Sequence, residues 1–162
     1  MKEIISALVV YHRSGPLCAL QQCLESLSIR TVHAQSCGEV WQALTGMNPP
    51  HLVFTDTTLA DGTWADVTAL AAKAAMAVDV IVVSRLVDTR LYVDAIEAGA
   101  FDFIVPPFAT ADLSYVVRCA ADNVCERREV QARAEQHPQR LLFPPFSQTS
   151  LPAMQGPKSK AT

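Results

Sequence analysis

Four short stretches hold the residues with chemistry to offer: Tyr11-His12-Arg13, Asp56-Thr57-Thr58, Ser84-Arg85 and Val105-Pro106-Pro107. Each follows or closes an apolar run. Between them they supply one carboxylate, one imidazole, two guanidiniums and several hydroxyls. A lone carboxylate makes a poor Mg²⁺ site, because that ion wants octahedral oxygen ligands at about 2.0–2.1 Å. His12 has no partner cluster that would make it a transition-metal ligand. No metal is expected. The cysteines Cys18, Cys23, Cys37, Cys119 and Cys125 are odd in number and none has CxxC spacing. Two pairs of them fall on helical patterns, so they read as buried, reduced thiols of a cytosolic protein.

The elements that must position these stretches alternate regularly. Ile4–Val10 is a continuous apolar run, as in a strand buried on both faces. Ser14-Gly15-Pro16 opens a helix whose leucines 17, 20, 24 and 27 repeat at helical spacing. Arg30–Ala34 reads as a short strand. Ser36-Cys37-Gly38-Glu39 has capping-box spacing and starts a helix with Val40, Trp41 and Leu44 on one side. His51–Thr55 is a strand ending at Asp56, and Asp61-Gly62 marks a turn before a helix over Trp64–Ala75. Val78–Val83 reads as a wholly apolar strand, Asp88–Ala98 as a helix closed by Gly99. Phe101–Val105 is a strand, broken by Pro106-Pro107-Phe108. Thr110 is expected to cap a long last helix with Leu113, Val116, Val117, Ala120 and Val124 on its apolar face.

Five strand–helix pairs in sequence predict an α/β fold, a five-stranded parallel sheet doubly wound by helices. Ligand chemistry in such folds sits at the C-terminal ends of the strands, where the four stretches fall. Half of the 162 residues are apolar and 18% are charged, which supplies a core and excludes global disorder. The net charge of −3 is too mild for a nucleic-acid binder. Residues 1–136 carry all 16 acids and ten basic residues, a balance of −6, whereas residues 137–162 carry Arg140, Lys158 and Lys160 and no acid. That proline-rich basic stretch reads as a disordered tail, with Leu141–Phe146 as an apolar island. No apolar run approaches the length of a membrane span and no secretory signal opens the chain, so a cytoplasmic location is expected.

The residues then show a likeness. His51-Leu52-Val53-Phe54-Thr55-Asp56, Leu59-Ala60-Asp61-Gly62, Val82-Val83-Ser84 and Gly99-Ala100-Phe101-Asp102-Phe103-Ile104-Val105-Pro106-Pro107-Phe108 resemble, over residues 3 to about 126, the receiver domain of bacterial two-component response regulators, the CheY-like type. The resemblance implies a phosphoacceptor at Asp56, switch residues at Ser84 and Phe103, a cis bond before Pro107 and Mg²⁺ as the usual cofactor. It implies a domain over 1–126, with the last helix running to about 136. It also implies a protein partner, such as a sensor histidine kinase or an output protein, and a homodimer through the face of the fourth helix, fifth strand and fifth helix. Arg85, Arg90, Asp94, Asp102 and Arg118 are candidate charge pairs on that face.

Two departures bear on the chemistry. Tyr11 and His12 stand where the family has an acidic pair, and Pro106 stands where it has a lysine. Pro106 has neither charge nor donor, and a phosphoryl group on Asp56 would lack two of its usual stabilisers. The resulting expectation is a phosphorylation-independent, non-enzymatic interaction module that uses no cofactor. The alternative is a working phosphoacceptor at Asp56 that uses Mg²⁺. His12 and Arg13 have two readings: a fixed cation beside Asp56 in place of the metal, or, the favoured one, a site no longer used, with Arg13 solvated. Inward packing is expected for Phe103, and the Pro106 ring is expected to face Asp56.

Overall fold

The three most apolar runs pair side by side because each is too apolar to leave either face in water, and a less buried strand closes each edge. In the computed structural model, which describes residues 3–137, they form one parallel sheet. Its strands are β1 (Ser6–Val10), β2 (Arg30–Ala34), β3 (Leu52–Asp56), β4 (Asp79–Val83) and β5 (Asp102–Ile104), in the order β2-β1-β3-β4-β5. The helices are α1 (Pro16–Ser26), α2 (Cys37–Thr45), α3 (Trp64–Lys73), α4 (Thr89–Glu97) and α5 (Thr110–Gln136). The fold is the doubly wound α/β arrangement of receiver domains.

Alternation along each strand divides the core into layers. Ala7, Val9, Leu52, Phe54, Ile81 and Val83 face one side and pack on Leu17, Leu20 and Leu24 of α1 and on Leu113, Val117 and Val124 of α5. Leu8, Val10, Val53 and Val80 face the other side, against Val40 and Leu44 of α2 and Val67 of α3. Each fully buried leucine, isoleucine or phenylalanine contributes about 1.5–3 kcal/mol relative to exposure. The register sets Val10 beside Thr55 and Asp56 beside Val83, so β1, β3 and β4 deliver their following residues to one place.

The opposite end of the sheet holds a set of polar anchors. Asp79, read from sequence as part of an apolar strand, is buried at the start of β4. Its carboxylate accepts from Arg127 Nη1 at 2.6 Å and Asn123 Nδ2 at 2.7 Å, both on α5. Arg128 donates to the carbonyls of Ala77 (2.8 Å) and Pro50 (2.7 Å), and Gln131 Oε1 accepts from the Ala77 N–H. A strand that starts on a buried acid is tolerated because the acid is fully partnered. The docked part of α5 thus extends past 126 to Gln131.

Two other expectations change. Thr110 is the first residue of α5 and Ala109 the cap, with no side-chain cap bond. The thiols are all free, but Cys18 is exposed and the other four are half-buried rather than buried. None of the four ion pairs among the described residues joins two of the charges on the α4–β5–α5 face: Arg85 turns to Asp56, and Arg118 lies 5.7 Å over the Tyr115 ring. Leu141–Phe146 and the basic tail lie outside the described residues.

Candidate functional site

Where β1, β3 and β4 end, their next residues frame an open cleft of about 640 Å³ whose wall includes His12, Arg13, Asp56, Thr57, Thr58 and Arg85. Asp56 lies at its floor, 6% exposed. Its Oδ1 accepts from the Thr57 N–H at 2.7 Å and the Thr57 hydroxyl at 3.4 Å. Its Oδ2 is 3.7 Å from Arg85 Nη2, a pairing of a buried carboxylate with a side chain 56% exposed. Gly15 at the start of α1 makes room for that guanidinium: a Cβ there would stand 3.1 Å from Arg85 Nη2.

The fixed cation beside Asp56 is therefore Arg85, not His12 or Arg13. Both of those line the cleft and are exposed, and neither is in an ion pair among the described residues. The difference is geometric. β3 and β4 are hydrogen-bonded neighbours with Asp56 opposite Val83, so the residue two beyond Val83 has the reach to return to Asp56. Sequence spacing of 29 residues carries no sign of this.

Tyr11 leaves the cleft altogether. Its ring packs on His33 with centroids 4.1 Å apart, its hydroxyl donates to Gln21 Oε1 at 3.4 Å, and burial pushes its phenol pKa up. Ser84 donates its hydroxyl to the Leu86 carbonyl at 2.9 Å and so closes its own turn. Phe103 is half-buried against Val82, Ala95 and Ala100, with Tyr92 edge-on at 5.9 Å. The Pro106–Pro107 bond is cis. Pro106 is half-buried and is not among the residues lining the cleft, so its ring does not roof Asp56; Pro107 is exposed.

The loop after Asp56 is braced from outside. Asp61 accepts from the N–H groups of Cys37 (2.8 Å) and Gly38 (3.3 Å), which caps α2 from a distance and holds its carboxyl below the ordinary value. Burial, followed by the Asp61 charge, pushes the Cys37 thiol up to about 11. Gly62 is packed so closely that a Cβ would lie 2.8 Å from both Cys37 Sγ and Asp66 Oδ2. The Asp61-Gly62 turn was legible in sequence; its attachment to α2 was not.

One further convergence was missed, at the far end of the sheet. Glu3, His51 and Cys125 offer ligand atoms within 4.8 Å of one another. Ser6 N–H donates to His51 Nδ1 at 3.2 Å, which places the ring proton on Nε2, facing Glu3 Oε1 at 3.0 Å. The nitrogen that would bind a metal is thus engaged as a donor, and the trio fastens the N-terminal segment instead.

Comparison with known proteins agrees with the fold. The family model for the response regulator receiver domain matches residues 8–118. No curated protein matches in sequence. The chain is similar in fold to the signal receiver domain of an HD domain-containing protein from Pseudomonas fluorescens, at 21% identity and a TM-score of 0.70, covering 80% of this chain and 95% of that one. It is similar to a response regulator receiver domain protein from Clostridium thermocellum, at 23% identity and a TM-score of 0.64, covering 74% and 95%. It also resembles NtrX from Brucella abortus, at 25% identity and a TM-score of 0.70, over 79% of this chain and 29% of that longer one. Mg²⁺, which this fold family implies, does not fit the donors present: one carboxylate faces the cleft, a guanidinium already stands 3.7 Å from it, and a second guanidinium lines the wall.

Proposed function

This chain belongs to the response regulator receiver domain family of two-component signalling, and from that premise we propose that it acts without phosphorylation, as a protein–protein interaction module needing no Mg²⁺. The observation that carries the reading is the Asp56–Arg85 pair at 3.7 Å in a cleft with no second carboxylate. Phosphoryl transfer to Asp56 brings a dianion against a carboxylate and needs cations that track the developing charge. Removing one such electrostatic donor typically costs about 3 kcal/mol of barrier, roughly 10²–10³ in rate. Here Tyr11 and His12 stand in place of the acidic pair that would hold the metal, and Pro106 stands in place of the lysine. Arg85 supplies one permanent charge that already pairs with Asp56, so a phosphoryl group added there would bring negative charge with no further cation held against it.

The partner is a protein, a sensor histidine kinase or an output protein, in the cytoplasm. No helix among the described residues is long and apolar enough to cross a membrane. The mild acidic charge disfavours nucleic acid. The α4–β5–α5 face supports a homodimer or partner contact, with Leu86, Val87, Tyr92, Val93 and Tyr115 exposed on or beside it.

Incubation with acetyl phosphate and Mg²⁺, followed by intact-mass measurement, tests the reading. The expected mass is unchanged. A gain of one phosphoryl group that disappears in Asp56→Asn would overturn it in favour of a working phosphoacceptor at Asp56.

A further inference from the structure

We propose that the cleft over Asp56 is an anion site, which binds the phosphate group of a small molecule non-covalently and without metal through Arg85 and Arg13. The inference rests on the metal-free reading of the cleft and adds a ligand class to it. The charged wall consists of Arg13, Arg85 and Asp56, with His12 beside them, so the cleft carries net positive charge even with the imidazole neutral. Such a wall repels a divalent cation and attracts an anion.

The donors are available. Arg85 lies 3.7 Å from Asp56, an ion-pair distance too long for a good hydrogen bond, and among the described residues neither Arg85 nor Arg13 donates a hydrogen bond to any acceptor. A guanidinium carries five N–H donors in a planar fork that matches two phosphate oxygens at once. Thr58, exposed on the same wall, adds a hydroxyl. About 640 Å³ lies within the range of small-molecule sites and exceeds the needs of a bare ion, which points to a phosphate monoester. Asp56 at the floor opposes the anion.

The opposing role of Asp56 gives the test its sign. Inorganic phosphate and glycerol phosphate are titrated into the full chain without Mg²⁺, followed by calorimetry and by amide shifts, with intact mass measured on a separate sample incubated with acetyl phosphate and Mg²⁺. Saturable binding is expected at about 1 mM or tighter. Arg85→Ala should weaken it about tenfold or more, and Arg13→Ala by a smaller factor. Arg85→Lys should fall between, because it keeps the charge and loses the fork. Asp56→Asn should strengthen binding about threefold or more, the reverse of the result for a phosphoacceptor. Thermal melts confirm that each variant is folded. The proposal fails if no binding saturates, if binding requires Mg²⁺, if the arginine variants bind like the parent, or if only an oligoglutamate peptide binds. A phosphoryl adduct in the acetyl phosphate sample would instead overturn the phosphorylation-independent reading. Unchanged mass with no binding overturns the anion site alone.

Discussion

Asp79 and Asp56 are buried to nearly the same degree, 5% and 6% exposed, at opposite ends of adjacent strands, yet they are held differently. Asp79 has two side-chain donors from α5 at 2.6 and 2.7 Å. Asp56 has its own neighbour Thr57 and one exposed arginine at 3.7 Å. The first arrangement fixes a helix to a sheet. The second leaves a charge open to exchange partners, which is what a signalling or ligand site requires. Physical burial alone does not distinguish a structural acid from a functional one; the number and distance of its donors do.

Removing the anchors should produce the largest effect. A chain ending at residue 126 lacks Arg127, Arg128 and Gln131 and should lose about 3 kcal/mol, each hydrogen-bonded anchor contributing roughly 1 kcal/mol. A chain ending at residue 137 should melt within a few degrees of the full one. Equal melting of both truncations would mean that the far end is not where α5 is fixed. Asp79→Ala should cost about 2 kcal/mol in denaturant unfolding, discounted from the range for fully buried pairs because the Arg127 side chain is half-exposed.

The acid limb of stability offers a subtler probe of the same end. The hydrogen bond from His51, first among several causes, lowers the Glu3 pKa from its ordinary 4.5. A carboxylate lowered in the folded state stabilises fully above 4.5 and loses that contribution as pH falls through its lower folded value. Glu3→Gln should therefore be slightly less stable than the parent at neutral pH, a small loss because Glu3 is largely exposed, and should converge with it as pH falls below 4.5, which flattens its acid limb. The smallest effect belongs to the cleft. Arg85→Ala should change unfolding free energy by no more than about 0.5 kcal/mol, as expected for a pair with one exposed member. A loss near that of Asp79→Ala would erase the contrast between the two ends.

The central strands were legible because a doubly buried strand needs an unbroken apolar run, and the doubly wound parallel sheet because strands alternating with helices need crossovers that cover its faces. Asp56, His12 and Arg13 were legible as cleft residues because strand ends are where the fold places its sites. Tyr11 was not: a residue leaving a strand can turn to either side, and stacking on His33 of β2 is a contact between elements 22 residues apart. Arg85 was marked as a strand-end residue, but its partner followed only from the β3–β4 register. Asp79 was hidden inside an apolar run, since its partners lie 44 and 48 residues away on a helix whose polar face looks like a solvated one.

The length of α5 has one more consequence. At about 1.5 Å per residue, its 27 residues make a rod of roughly 40 Å. It is clamped at Asn123, Arg127, Arg128 and Gln131 and runs free only from there to Gln136. Those last residues set the height and compass bearing at which the chain leaves the helix. One residue inserted between Gln131 and Gln136 would advance that exit by about 1.5 Å and swing it through about 100°, with the clamps and the cleft untouched. The free end is therefore a dial as well as a ruler, and its setting is written in residue count.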